Sequence, residues 1–158
     1  MNDSSTLPRR THPAHPSPVR LVNRSTLVFV TVCIRGRRPL LPTWQAHDLI
    51  VAAWRQADRW HVGRYILMPD HLHFFCAPAD DATPLKKWME FWRSAVTRAW
   101  PVSAEKPLWQ REFWDRQLRD GESYGEKWEY VRSNPVRAGL VERGEEWMFQ
   151  GELNVLRW

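Results

Sequence analysis

The sequence from residue 64 to residue 76, RYILMPDHLHFFC, restricts most strongly what this chain can fold into. It holds two apolar runs that meet at Pro69-Asp70, and a proline followed by an aspartate between two such runs is typical of a turn. The pattern therefore predicts two antiparallel strands, over residues 61–68 and 71–78, joined as a hairpin.

The second of these strands carries two histidines, His71 and His73. Because successive side chains of a strand point to opposite faces of its sheet, the histidines share one face while Leu72 and Phe74 occupy the other. Two imidazoles side by side on a rigid strand can form half of a metal site. The alternative is a pair of polar residues on the wet face of a half-exposed strand, which is the more common meaning of an isolated His-x-His motif.

Hydrophobic periodicity places further elements on both sides of the hairpin. Thr83 and Pro84 have the residue types of a helix N-cap and a first helical position. The order of elements is strand, helix, strand, strand, helix, strand, helix, which predicts an α+β fold of the ferredoxin-like (split βαβ) type, with one antiparallel sheet and helices on one face. Outside the hairpin, the predicted strands cover residues 25–34 and 108–118, and the predicted helices cover residues 44–60, 85–100 and 122–133.

Length and composition indicate one folded domain. The 158 residues suffice for a single hydrophobic core, and 43% of them are hydrophobic. Residues 1–20 are rich in proline and arginine and are expected to form a disordered basic tail, which leaves residues 21–158 as the domain. The sequence shows no apolar signal segment and no run long enough to span a membrane, so we expect a cytoplasmic protein without membrane contact.

The charge of the chain favours a polyanionic partner. The formal net charge is +5, and only four of the 23 cationic residues are lysines. Arginine offers a planar fork that suits phosphate, although a GC-rich coding sequence would favour arginine equally well. Some of the 11 tryptophans could stack on exposed bases. The candidate DNA-binding residues, chosen from charge alone, are Arg35, Arg37, Arg38, Lys86 and Lys87.

Tyr130 and Asn134 form a second candidate pair, in the third predicted helix. Their spacing of four residues places them on one helix face, one turn apart. A phenolic oxygen can act as a nucleophile, and an amide oxygen can bind a hard divalent cation. The alternative is a half-buried tyrosine with an asparagine that ends the helix before Pro135. Tyr124 competes for the role of nucleophile, but it points to a different side of the helix.

Three separated segments together resemble a known family. The chain is similar to the REP-associated tyrosine transposases, a bacterial group within the HUH single-tyrosine transposases, over about residues 26–143. The segments that carry the resemblance are residues 67–73 (LMPDHLH), 109–114 (WQREFW) and 130–141 (YVRSNPVRAGLV).

The resemblance implies a site and an activity. It implies a ferredoxin-like fold of the HUH endonuclease type in which His71 and His73 bind a divalent metal, Mg²⁺ or Mn²⁺. It makes Tyr130, and not Tyr124, the nucleophile, and it makes Asn134 the third metal ligand, at a position where many members of the broader class have glutamine. It further implies cleavage and rejoining of single-stranded REP-type hairpin DNA through a covalent 5′-phosphotyrosine intermediate, by a monomer or a homodimer in the bacterial cytoplasm.

The sequence is also compatible with two other functions. The first is a non-catalytic hairpin-binding module on the same fold, with a decayed or repurposed site. The second is a metal-dependent hydrolase in which water attacks the substrate. A hydrolase would need further ligands near the histidines, and Asp70 is the one close candidate; by strand alternation its side chain should point away from His71.

Overall fold

The sheet of this protein has five antiparallel strands in the order β4-β1-β3-β2-β5. The computed structural model describes residues 26–119 and 122–157, so the predicted tail lies outside the described residues. The strands are β1 (Val28–Cys33), β2 (Trp60–Leu67), β3 (His71–Pro78), β4 (Trp114–Gln117) and β5 (Gln150–Glu152); the helices are α1 (Trp44–Gln56), α2 (Leu85–Ala99), α3 (Tyr124–Arg132) and α4 (Asn134–Arg137). The first four strands have the arrangement of a split βαβ sheet, which confirms the predicted ferredoxin-like fold.

One face of the sheet is covered by α1 and α2. Phe74 of β3 lies on this face, with its ring centroid 5.1 Å from that of Trp54 in α1 and 6.0 Å from that of Trp92 in α2. All three side chains are almost fully buried. Burying a large apolar side chain contributes about 1.5–3 kcal/mol each, so this layer supplies much of the driving force for folding.

The opposite face is covered by α3. Phe75, the next residue of β3, lies there with its ring centroid 4.8 Å from that of Tyr124. Trp128 and Val131 complete the apolar stripe of α3 and pack in the same cluster. Helices α1 and α2 share one face of the sheet, as predicted. Helix α3 lies on the opposite face instead, because the sheet presents a second apolar surface there that a short helix can bury. His71 and His73 alternate with Phe74 and therefore lie on the α3 face.

Several element boundaries differ from the predictions. Helix α1 ends at Gln56, because Trp60 begins strand β2 instead of continuing the apolar stripe. Helix α2 has Pro84 as its N-cap, so the prediction that Thr83 is the cap is wrong. The backbone N–H of Thr83 donates to Asp80 Oδ1, which makes it part of the preceding loop.

The end of the chain and the segment before β4 depart most from the predicted pattern. Strand β4 has only four residues, and the segment leading into it forms an isolated antiparallel bridge between Trp109 and Ile34, the residue after β1. Strand β5, which was not predicted, adds a fifth strand at the edge beside β2. Within the described residues 26–119 and 122–157, no helix is long and apolar enough to cross a membrane.

Gly63 is a position where a larger residue is expected to destabilise the fold. It lies in β2 at the register shift between Val62 and Tyr65, and a Cβ atom there would stand 2.6 Å from both Leu156 Cδ1 and Tyr124 Oη. Because these neighbours are packed against the sheet, Gly63→Ala should lower the free energy of unfolding by about 1–3 kcal/mol, measured by urea denaturation.

Gly125 provides the matched control for this substitution. It lies in α3, where a Cβ atom would meet only Ser123 Oγ at 3.7 Å. Gly125→Ala should therefore raise the free energy of unfolding by about 0.5–1 kcal/mol, through helix propensity. Equal stabilities of the two variants would show that the close approach at Gly63 is relieved without strain.

Candidate active site

The histidine pair lies on β3, the central strand of the sheet. The ring centroids of His71 and His73 are 4.8 Å apart and the rings are nearly perpendicular, at 78°. The backbone on either side is held by β1 and β2, since His73 pairs with Thr31 of β1 and with Ile66 of β2. The two imidazoles therefore stand on a rigid part of the fold, on the same face as each other, as the alternation predicted.

His71 is oriented by a carboxylate. Its Nδ1 atom is 2.7 Å from Asp70 Oδ1, and the second oxygen of Asp70 accepts a hydrogen bond from Arg37 Nε over 2.8 Å. The prediction that Asp70 points away from His71 is wrong. Asp70 precedes β3 and belongs to the turn, where its backbone oxygen accepts from Ile34 N–H, so strand alternation does not apply to it.

The charges around Asp70 fix its ionisation. Burial by itself would raise the pKa of Asp70, but the hydrogen bonds from His71 and Arg37 outweigh it, and its pKa lies below the ordinary value. Asp70 is thus an anion that accepts one hydrogen bond from each neighbour. A carboxylate in this role fixes the ring orientation of a metal-binding histidine and makes it a better ligand.

His73 is oriented by a hydroxyl group and an aromatic ring. Its Nδ1 atom is 2.8 Å from Thr31 Oγ1, directly across the strand pair. Its ring stacks on Phe29 with centroids 5.3 Å apart and an interplanar angle of 21°. Burial, with smaller electrostatic contributions from His71, Arg137 and Arg37, lowers the pKa of His73 to about 3. His73 is therefore neutral at physiological pH, the form in which imidazole binds metals.

These contacts leave the same atom available on each ring. Both Nδ1 atoms are engaged, and neither Nε2 atom has a hydrogen-bond partner within the described part of the chain. Burial also lowers the pKa of His71, against the opposing effect of Asp70, so both rings favour the neutral form. Two neutral imidazoles held through Nδ1 fit a divalent cation bound through Nε2.

The third ligand predicted for such a cation is an amide, that of Asn134. Among the described residues, no group of three or more histidine, cysteine, aspartate or glutamate side chains is placed to hold a metal ion. Both oxygens of Asp70 are already engaged by His71 and Arg37. Asn134 is half-buried at the start of α4, and its role as the third ligand stays a prediction.

Tyr130 is the exposed tyrosine of α3. Its side chain is 68% exposed, although it is a large aromatic residue on a helix that packs against the sheet. Helix α3 ends two residues later, and Ser133, which keeps right-handed helical angles, leads directly into α4. Tyr130 and Asn134, predicted one turn apart in a single helix, therefore lie on either side of the junction between α3 and α4. The junction is closed by Ser133 Oγ, which donates to the carbonyl of Tyr130 over 2.6 Å.

Tyr124 has a structural environment. It is 9% exposed, and its Oη atom accepts a hydrogen bond from the backbone N–H of Arg64 over 2.9 Å. Burial raises the pKa of Tyr124 to about 12, which disfavours the phenolate. The two tyrosines therefore differ in accessibility, and the role of Tyr130 as the nucleophile stays a prediction.

The predicted DNA-binding residues fall into two groups. Arg37 lies beside the histidine pair, because it shares Asp70 with His71, and Arg35 and Arg38 are its neighbours along the chain after β1. Arg37 has a left-handed backbone, with φ of 56°, and its guanidinium also donates to Cys33 Sγ. Arg38 donates to backbone carbonyls of Arg35 and Pro107.

The two lysines lie elsewhere. Lys86 and Lys87 are exposed in the first turn of α2, on the opposite face of the sheet from the histidines. Their helix follows Pro78, the end of β3 farthest from His71. The structure therefore does not bring them to the histidine pair, and their role in DNA binding stays a prediction.

Three residues of the site were not proposed from the sequence: Thr31, Asp70 as a partner of His71, and Arg137. Arg137 Nη1 donates to the carbonyl of Tyr130 over 3.0 Å, and its guanidinium carbon lies 4.3 Å from the centre of the Tyr130 ring. Thr31 could be assigned only once the register between β1 and β3 was known. Arg137 lies inside the segment that carries the family resemblance, which is the signal that could have identified it.

A ferredoxin-like sheet with a histidine pair on its central strand, covered on that face by a helix with an exposed tyrosine, is the architecture of the HUH single-tyrosine transposases. No family model matches the chain. It is 30% identical over 124 residues to the REP-associated tyrosine transposase of Escherichia coli K12, covering 77% of this chain and 73% of that one. The chain therefore belongs to the REP-associated tyrosine transposases, and it is an enzyme of the tyrosine transposase class.

Two further comparisons agree with this assignment. A relative from Haemophilus influenzae, assigned to the same family, is 24% identical over 94 residues, which cover 52% of this chain and 53% of that protein. A solved structure of a REP-associated tyrosine transposase bound to a REP hairpin superimposes with a TM-score of 0.69 at 23% identity, covering 85% of this chain and 81% of that one. At that identity the superposition supports the fold.

Proposed function

We propose that this protein cleaves and rejoins single-stranded DNA at REP-type hairpins, through a covalent 5′-phosphotyrosine link to Tyr130, with Mg²⁺ or Mn²⁺ bound by His71, His73 and Asn134. The observation that carries the proposal is the pair of neutral imidazoles, each held through Nδ1, on the face that the helix with the exposed Tyr130 covers. A relative of the same fold is bound to a REP hairpin. The net charge of +5 suits a nucleic-acid substrate.

The reaction requires one bond to form and one to break. The Oη atom of Tyr130 attacks the scissile phosphorus and loses its proton, while the bond from phosphorus to the 3′ oxygen breaks and that oxygen gains a proton. A bound divalent cation would neutralise charge on the phosphate and on the leaving oxygen. The new phosphotyrosine ester keeps the energy of the broken bond, so a 3′-hydroxyl can reverse the step and rejoin DNA without a nucleotide triphosphate.

The residues of the chain prepare this step in different ways. Asp70 and Thr31 hold the two imidazoles in one orientation, which removes a cost of ordering them when a metal binds. The exposure of Tyr130 lets a DNA strand reach its hydroxyl group. Arg35 is exposed and Arg38 is half-exposed, and both are near Arg37 in sequence, which supports a role for them in holding the backbone of that strand.

The proposal is tested by trapping the covalent adduct. A single-stranded REP-type hairpin with a 3′ flank is labelled at its 3′ end, incubated with the protein and Mn²⁺, and resolved on a denaturing gel. We expect the label to migrate with the protein, and we expect EDTA to abolish the adduct and excess Mn²⁺ to restore it. The same DNA labelled at its 5′ end should give only a shorter free strand.

Each other outcome points to a different function. Cleavage in Mn²⁺ without any protein-linked label would favour the metal-dependent hydrolase. Binding of the hairpin with no cleavage in either metal would favour the non-catalytic module. Protein-linked label from the 5′ end would contradict the proposed polarity of the phosphotyrosine link.

A further inference from the structure

We propose that Arg137 binds the scissile phosphate and holds Tyr130 beside it, so that one guanidinium joins the nucleophile to its target. This inference rests on the proposed strand cleavage by Tyr130, and it adds a side chain of the protein that binds the phosphate directly. Arg137 lies in α4, seven residues after Tyr130 and three after Asn134.

The first argument is the contact between Arg137 and the nucleophile. Arg137 Nη1 donates to the carbonyl of Tyr130 over 3.0 Å, and it also contacts Ser133 Oγ. The guanidinium lies over the Tyr130 ring, with its carbon 4.3 Å from the ring centre, which is the geometry of a cation–π pair. Tyr130 is otherwise an exposed side chain, so these contacts limit the directions in which its hydroxyl group can point.

The second argument is the unneutralised charge of Arg137. Within residues 26–119 and 122–157, no carboxylate lies within ion-pair distance of its guanidinium. Arg37, by contrast, is paired with Asp70 at 2.8 Å. A cation held against the nucleophile, with no anion of the described chain beside it, is suited to an anion of the substrate.

The third argument is the hydrogen-bonding capacity that remains. The contacts of Arg137 within the described chain use Nη1 and the face of the guanidinium, and they leave Nε and Nη2 without partners there. These two atoms form one edge of the fork, and such an edge donates two parallel hydrogen bonds to the oxygens of a phosphate. Arg137 can therefore keep Tyr130 in place and bind the scissile phosphate at the same time.

The experiment compares a charged with a neutral scissile phosphate. Arg137→Gln removes the charge but keeps an amide that can donate to the Tyr130 carbonyl, and Arg137→Lys keeps the charge but loses the fork. The rate of adduct formation is measured on the hairpin and on the same hairpin with a methylphosphonate, each diastereomer separately, at the scissile position. On the charged phosphate, we expect Arg137→Gln to lower the rate about 100-fold and Arg137→Lys to lower it about tenfold. On one methylphosphonate diastereomer, we expect the rate of Arg137→Gln to differ from that of the unmodified protein by less than about threefold.

Arg59→Gln is the matched control. Arg59 is exposed and pairs with Asp80 at the far end of β2 and β3, so its loss changes the net charge equally without touching the site. We expect it to leave both rates unchanged, and thermal unfolding of all variants shows whether they are folded.

The outcomes separate the inference from the proposed function. An equal loss of rate for Arg137→Gln on both substrates would overturn the phosphate contact. It would leave Arg137 only the role of positioning Tyr130. No loss on either substrate would overturn the inference entirely while the cleavage by Tyr130 stands. Absence of any adduct with the unmodified protein on the charged hairpin would overturn the proposed function, and the inference with it.

Discussion

Tyr130→Phe is expected to abolish the covalent adduct, and Tyr124→Phe is expected to retain it. Removal of the Oη atom from Tyr130 leaves no group that can form the ester, so the rate should fall by at least about 10⁴-fold. Tyr124 is 9% exposed and its hydroxyl accepts from Arg64 N–H, so it cannot reach a DNA strand. The measurement is the amount of protein-linked label on a denaturing gel over time, with Mn²⁺ present.

The Tyr124 variant should differ in stability instead of activity. Tyr124→Phe leaves the partly buried N–H of Arg64 without its acceptor, which is expected to lower the free energy of unfolding by about 1–2 kcal/mol. The adduct assay is therefore run well below the unfolding temperature of this variant. An adduct that persists in Tyr130→Phe and disappears in folded Tyr124→Phe would exchange the roles of the two residues.

The hairpin could be predicted because its signals are local. Strand β3 has the predicted bounds, since its apolar alternation is strong and the Pro69-Asp70 turn fixes where it begins. Strand β5 has three residues and no alternation that a sequence could reveal; it forms because the edge of β2 offers unpaired backbone groups. The side of the sheet chosen by α3 likewise depends on tertiary packing of Phe75 against Tyr124, and no periodicity within the helix determines that choice.

The site divides in the same way between local and long-range information. That His71 and His73 share a face follows from strand geometry alone, and the structure confirms it. Their partners Thr31 and Asp70 depend on the register of two strands and on the path of a turn. The proximity of Arg137 to Tyr130 depends on how α3 passes into α4 at Ser133. A motif therefore indicates which residues react, whereas the residues that orient them emerge from the fold.

His73→Ala is expected to lower the rate of adduct formation by about 10³-fold or more. Thr31→Val is expected to weaken only the binding of the metal. His73 supplies one of the two free Nε2 atoms, and loss of metal assistance removes several kcal/mol of stabilisation of the transition state.

Thr31→Val keeps the β-branched shape in β1 but removes the hydroxyl group 2.8 Å from His73 Nδ1. Loss of such a partner should raise the Mn²⁺ concentration for half-maximal rate by about 10–100-fold while the maximal rate is nearly retained. The measurement is the adduct rate across a Mn²⁺ titration, in which His73→Ala should stay slow at every concentration. Full recovery of the His73→Ala rate at high Mn²⁺ would exclude His73 as an essential ligand. A lower maximal rate of Thr31→Val, without a shift in its Mn²⁺ dependence, would mean that the hydroxyl group acts on the reaction and not through the metal.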